Sequence, residues 1–154
     1  MIAIPQHIID GIIAQALGEL PDEACGLLVG KRNVNINIDG IGNIDSNGNG
    51  DEYGSEAAIR YPLTNVDHSP EHFSFDPKEQ FAVLREARAQ KLQIIANYHS
   101  HPGTPARPSE EDIRLAFDPD TVYIIVSLQE KDRPVIKAFS IREKKAEETV
   151  IIIK

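Results

Sequence analysis

Residues 94–112 restrict what this chain can fold into more tightly than any other stretch. The run from Ile94 to His101 is short, apolar at its start and halted by Pro102, the pattern of a strand entering a core. Pro105 and Pro108 follow, and a proline-rich segment of this kind cannot continue the strand. Ser109 then has the chemistry to cap a helix over residues 109–117, whose first turn carries Asp112. Strand side chains alternate between faces, so His99 and His101 project to one side with Cα atoms roughly 6.6 Å apart. Ser100 points the other way. Two imidazoles and a carboxylate are thus offered at one strand-to-helix turn.

The remaining segments supply helices and strands in alternation. Ile8, Ile9, Ile12, Ile13, Ala16 and Leu17 recur at helical spacing after Pro5, and Gly18 and Pro21 mark the end of that helix. Cys25 to Gly30 is a continuous apolar run, as expected of a strand buried on both faces, and Glu23 stands just before it. Val34, Ile36 and Ile38 alternate with asparagines, which predicts a second, half-buried strand. The Asn-, Gly- and Asp-rich stretch 45–55 reads as a turn, and residues 57–63 as another strand. Residues 65–75, interrupted by Pro70, read as an ordered loop in which His68 and His72 are ordinary loop histidines.

Asp76, Pro77 and Glu79 form a helix-start signal with a capping-box acid, for a helix running to about Lys91 with Phe81, Leu84 and Ala87 inward. Strands are expected at 121–128 and 135–141, with a last one at 149–153. Interleaved helices and strands, some joined by hairpins, predict an α/β domain with a mixed sheet.

At 154 residues the chain suits one compact domain, 1–154, with a core that needs no disulfides. Its 16 basic against 24 acidic residues give a net charge of -8, which disfavours nucleic acid and anionic membrane surfaces as partners. The N-terminal segment lacks both a basic n-region and an uninterrupted apolar span, so neither a signal peptide nor a membrane helix is expected. The lone Cys25 excludes an internal disulfide and a four-cysteine zinc site, and it suits a reducing, cytoplasmic setting. Nothing supplies Cys25 with a base, so a small buried hydrophobe is the expectation rather than a nucleophile.

Any metal must therefore be held by His and carboxylates. Two neutral imidazoles and one carboxylate, His99, His101 and Asp112, suit Zn2+ and leave the fourth tetrahedral position open, as in catalytic sites. Glu23 is the candidate general base, by analogy with the non-ligand glutamate of other zinc hydrolases. Two plainer readings stand beside this. Ser109 and Asp112 also match a capping box, and the Ser109 hydroxyl can do both jobs. Asp45 to Glu56 literally satisfies the EF-hand expression, yet it follows a strand-like segment and has Glu52 at position eight, so a turn is favoured.

The sequence Glu23-Ala-Cys-Gly, together with His99-Ser-His101, seven residues, Ser109, two residues and Asp112, resembles the JAMM (MPN-plus) zinc metalloproteases. The likeness runs from the glutamate motif through Phe-Asp-Pro-Lys-Glu-Gln at 75–80 to the strand after Asp112, and no motif position departs from the pattern. It implies an MPN/JAB-like fold, a mixed curved sheet flanked by helices. It also implies zinc on His99, His101 and Asp112, water activation by Glu23, and oxyanion stabilisation by Ser109. With the Pro-Ala-Arg-Pro-Ser turn, the chain is most similar to bacterial members acting on ubiquitin-like sulfur-carrier proteins. That implies cleavage after a C-terminal Gly-Gly, for instance releasing cysteine. The alternative is a catalytically silent MPN-type scaffold, but such relatives typically lack part of the ligand set.

Overall fold

The structure, a computed structural model, describes residues 1–36 and 53–154. It begins with a three-residue strand, β1 (Ile2–Ile4), which leads through Pro5 into helix α1 (Gln6–Gly18). Ile8, Ile9, Ile12 and Ala16 of α1 are buried against the sheet, each isoleucine contributing on the order of 1.5–3 kcal/mol by leaving water. Strands β2 (Cys25–Asn35) and β3 (Tyr53–Leu63) pair antiparallel, helix α2 (Pro77–Ala89) follows, and β4 (Gln93–His101) returns antiparallel to β2. Helix α3 (Glu110–Arg114), β5 (Val122–Ser127), β6 (Val135–Arg142), β7 (Lys145–Thr149) and β8 (Ile151–Ile153) complete the chain order.

The eight strands of the described residues form one mixed sheet in the order β7-β6-β5-β4-β2-β3-β1-β8. β4 and β5 run parallel, as do β1 with β3 and with β8, and the other pairs are antiparallel. The two outermost strands are consecutive in the chain, separated only by Val150. Thr149 pairs with Ala138 on one edge while Ile151 pairs with Ile2 on the other, so the sheet curls until it nearly closes. This is the curved, helix-flanked α/β architecture expected. Helix α1 covers one face over Leu28, Ala96, Tyr98, Ile124 and Val126. Helix α2 covers part of the other through Val83 and Ala87, against Cys25, Leu27, Val29 and Leu63.

Several local expectations are corrected. The run at Val34 is no separate strand but the end of β2, which a bulge between Lys31 and Val34 carries onward; Ile38 lies outside the described residues. Most of the 45–55 turn lies outside them too, while Tyr53 to Ser55 already belong to β3. Glu56, the last position of the EF-hand expression, sits in β3 and ion-pairs with Lys154 at 2.8 Å. Helix α2 starts with the expected Asp76 cap and Pro77, but Glu79 turns away from the cap and accepts hydrogen bonds from the Thr64 amide and hydroxyl. Phe81 lies on the outer surface beneath Arg85, and Val83 takes the inward position with Ala87. No helix among the described residues is long and apolar enough to cross a membrane.

Candidate metal centre

The end of β4 sits inside the sheet, between β2 and β5, so its histidines do not lie on a strand edge open to an added strand. The register that fixes them begins at β2. Cys25 pairs with His99, the Ala24 amide donates to Ser100 Oγ at 2.8 Å, and the Ser100 amide donates to the Ala24 carbonyl at 2.9 Å. Ser100 thereby uses the face opposite the histidines to hold residue 24, and Glu23 is brought beside the end of β4. Gly26 is required in this register: a Cβ there would meet the Tyr98 hydroxyl at 2.2 Å and the Tyr61 carbonyl at 2.5 Å. The glycine of Glu23-Ala-Cys-Gly thus serves close packing, and Cys25 beside it is fully buried, its thiol pushed up to about 12 chiefly by burial.

Past Pro102 the chain turns back over the strand end. Ser109 caps α3 by accepting from the Asp112 amide at 3.0 Å, and its own amide donates to Asp112 Oδ2 at 2.9 Å, a reciprocal capping box. Helix α3 stops at Arg114 instead of reaching residue 117, and Phe117 is exposed. The capped first turn aims Asp112 at the histidines. Its Oδ2 lies 3.1 Å from His99 Nε2 and 3.2 Å from His101 Nε2, and the two Nε2 atoms are 3.1 Å apart.

Three donors bound tetrahedrally at about 2.0–2.1 Å stand roughly 3.3 Å from one another, so this triangle fits one small cation. The nitrogen chemistry fits as well. His101 Nδ1 is 2.9 Å from the Pro105 carbonyl, which can only accept, so in the neutral ring the proton sits there and Nε2 keeps its lone pair. Burial holds His99 below the ordinary histidine range against the opposing pull of Asp112, which favours the neutral, ligating form. The Asp112 carboxyl is held low despite its burial, because its interactions with the His101 and His99 rings outweigh desolvation. His99 Nδ1 is buried without a hydrogen-bond partner among the described residues, and its ring stacks on Phe73 at 4.5 Å.

Glu23 is buried too, and its Oε1 lies 4.0 Å from His101 Nε2. Glu23, His99 and His101 also form a group whose donor atoms lie within 4.8 Å of one another, so either carboxylate could join the imidazoles. Asp112 is the closer, at 3.2 Å against 4.0 Å from His101 Nε2. Both Glu23 and Ser109 line an open cleft of about 610 Å³, with His101, Pro21, Pro70 and Lys131 around it. The structure therefore brings together all five residues singled out in the sequence.

The loop 65–75 contributes more than its sequence suggested. Besides Phe73, His72 reaches Glu111 on α3 at 2.5 Å, so the loop bridges to the helix carrying Asp112. Contact between positions 39 residues apart leaves no periodic trace, and only the two histidines hinted at it.

Burial pushes the Glu23 carboxyl up to about 8 from 4.5, with His101 opposing the rise and Asp112 adding to it. A folded value above the unfolded one means that stability is fully present below about 4.5 and lost as pH climbs through about 8. Metal-free wild-type protein should accordingly lose stability across that window, and metal-free Glu23→Gln should lose less. Urea unfolding in chelator at pH 5 and pH 8 measures this; equal losses in both proteins would refute it. A cation beside the carboxylate acts in the opposite direction, so the effect belongs to the metal-free state.

Residues 5–142 match the model of the prokaryotic homologs of the JAB domain. The CysO-cysteine peptidase of Mycobacterium tuberculosis is 30% identical over 142 residues, covering 92% of this chain and 83% of that protein. The desampylase of Pyrococcus furiosus is 26% identical over 151 residues, covering 97% and 89%. In three dimensions the chain resembles the solution structure of protein DSY2949 from Desulfitobacterium hafniense, with a TM-score of 0.80, 42% identity and coverage of 100% and 93%. With the matched segment spanning both β2 and the turn that carries Asp112, the chain belongs to the family of prokaryotic JAB-domain homologs.

Proposed function

We propose that this chain, acting as one domain, is a JAMM-type zinc metallopeptidase in which His99, His101 and Asp112 hold the ion. Glu23 is the general base and Ser109 stabilises the oxyanion. The observation that carries this reading is the donor triangle of 3.1, 3.1 and 3.2 Å, with the buried Glu23 carboxylate 4.0 Å from its His101 corner. Zinc, when bound, supplies the Lewis acidity that makes water nucleophilic near neutral pH and polarises the scissile carbonyl. Glu23 accepts a proton from the attacking water and returns it to the departing amine as the C–N bond breaks. Ser109 Oγ accepts from the Asp112 amide with one lone pair, which leaves its O–H able to donate to the oxyanion.

Those two roles of Ser109 separate experimentally. Ser109→Ala should lower turnover by about 10² to 10³ if the hydroxyl serves the oxyanion. Near-normal turnover with about 1 kcal/mol of lost stability would leave it a cap alone.

The substrate we propose is a ubiquitin-like sulfur-carrier protein conjugated after its C-terminal Gly-Gly, with cysteine as the released adduct. The relative named CysO-cysteine peptidase supports the cysteine, and the buried position of β4 supports a slender tail. An extended peptide cannot join the sheet there and must lie along the cleft between Pro21, Pro70 and Ser109, where glycine crowds least. The carrier body would supply most of the binding energy. Mass spectrometry of a carrier ending in Gly-Gly-cysteine should show loss of the last residue with zinc-loaded wild type. Intact conjugate alongside digestion of generic peptides would overturn the carrier while leaving a peptidase.

A further inference from the structure

Glu23 precedes β2 and has no place in the sheet ladder, so something else must set the direction of its carboxylate. Its amide donates to the Ser69 carbonyl at 2.8 Å, and its carbonyl accepts from Asn65 Nδ2 at 3.0 Å. Both backbone groups of Glu23 thus end on the loop 65–75. Asn65 closes that loop by bridging to Phe75, and its side chain is buried. Its Nδ2 also donates to the His72 carbonyl at 2.9 Å, and its Oδ1 accepts from the amides of Asp67 at 3.0 Å and Ser74 at 3.2 Å. The four bonds use both donors and both acceptor lone pairs, so the amide has one orientation that satisfies it.

We infer that Asn65 is a positioning residue for the reaction: it ties Glu23 to the loop that walls the cleft and thereby aims the carboxylate toward His101. The inference rests on the reading of Glu23 as general base. A purely structural asparagine would be needed for the loop alone, but half of this donor capacity is spent outside the loop, on the residue whose direction matters most. Ser100, holding Ala24 from the other side, cannot do this by itself, because it leaves rotation about residue 23 open. Asn65 and Ser69 close that freedom.

The test uses Asn65→Asp, which keeps the acceptors for Asp67 and Ser74 and sets lone pairs against the carbonyls of Glu23 and His72. Asn65→Ala serves as a second variant should the first fail to fold. Crystal structures of the zinc-loaded wild type and variant should show the Glu23 carboxylate displaced while His99, His101 and Asp112 stay in place. On the carrier conjugate, kcat should fall by about 10²-fold with KM little changed, as expected of a misplaced reacting group. Combined with Glu23→Gln, the asparagine substitution should add no further loss, because the group it positions is already absent. An unmoved carboxylate, or losses that multiply in the double variant, would overturn the positioning role and leave the base assignment intact. Full activity of Glu23→Gln alone would overturn both.

Discussion

Glu23→Gln and wild type should both hold about one zinc per chain, and the variant should lose turnover by about 10² to 10⁴. The substitution preserves shape and leaves the closest three donors, at 3.1–3.2 Å from one another, untouched. What it removes is the ability to take a proton from water and return it to the amine. Asp112 is no substitute, because in this reading its Oδ2 is a metal donor that also accepts from the Ser109 amide. Metal analysis and single-turnover hydrolysis on the same preparation measure both halves. Activity near wild type would assign the base elsewhere.

Asp112→Ala and His101→Ala should each lose zinc, with affinity falling by well over 10²-fold, more than loss of an outer partner would produce. Asp112 does two jobs, since its Oδ2 also accepts from the Ser109 amide at the start of α3. Alanine therefore removes a cap worth about 1 kcal/mol along with the ligand. Asp112→Asn separates the two, because a neutral amide oxygen can still accept from Ser109 but is a poor zinc ligand. Loss of zinc in both variants, with stability largely kept in the asparagine form, is the expected outcome. Calorimetry and equilibrium dialysis would show it. If Asp112→Ala stays fully loaded while Glu23→Gln loses the ion, the carboxylates have exchanged roles and the metal sits on Glu23, His99 and His101.

The sequence by itself determined those features whose causes are local. Helix α1 follows from the recurrence of Ile8, Ile9, Ile12 and Ala16. The halt after His101 follows from Pro102, and the α3 start from Ser109 and Asp112 in one capping box. Period-two alternation alone put His99 and His101 on one face. Where a residue has two uses, local pattern named only the nearer. Glu79 read as a capping acid, but Thr64 offers it two donors that no count of spacing reveals.

Only the tertiary structure decided the rest, because it depends on contacts between distant positions. β1 has just three residues, too few to show a period, and forms because β3 and β8 flank it. The sheet curls because residues 145–153 serve both of its edges. The pairing of β4 with β2 on one side and β5 on the other puts it in the interior, so it offers a substrate no strand edge. Glu23 stood in the sequence as an acid before a strand, 76 residues from His99. Its burial, its 4.0 Å approach to His101 and its bond to Asn65 arise from the pairing of β2 with β4 and from the fold of the 65–75 loop. Periodicity encodes which face a side chain takes, whereas what it meets there is set by strand order and loop path, and these minimise the free energy of the whole chain.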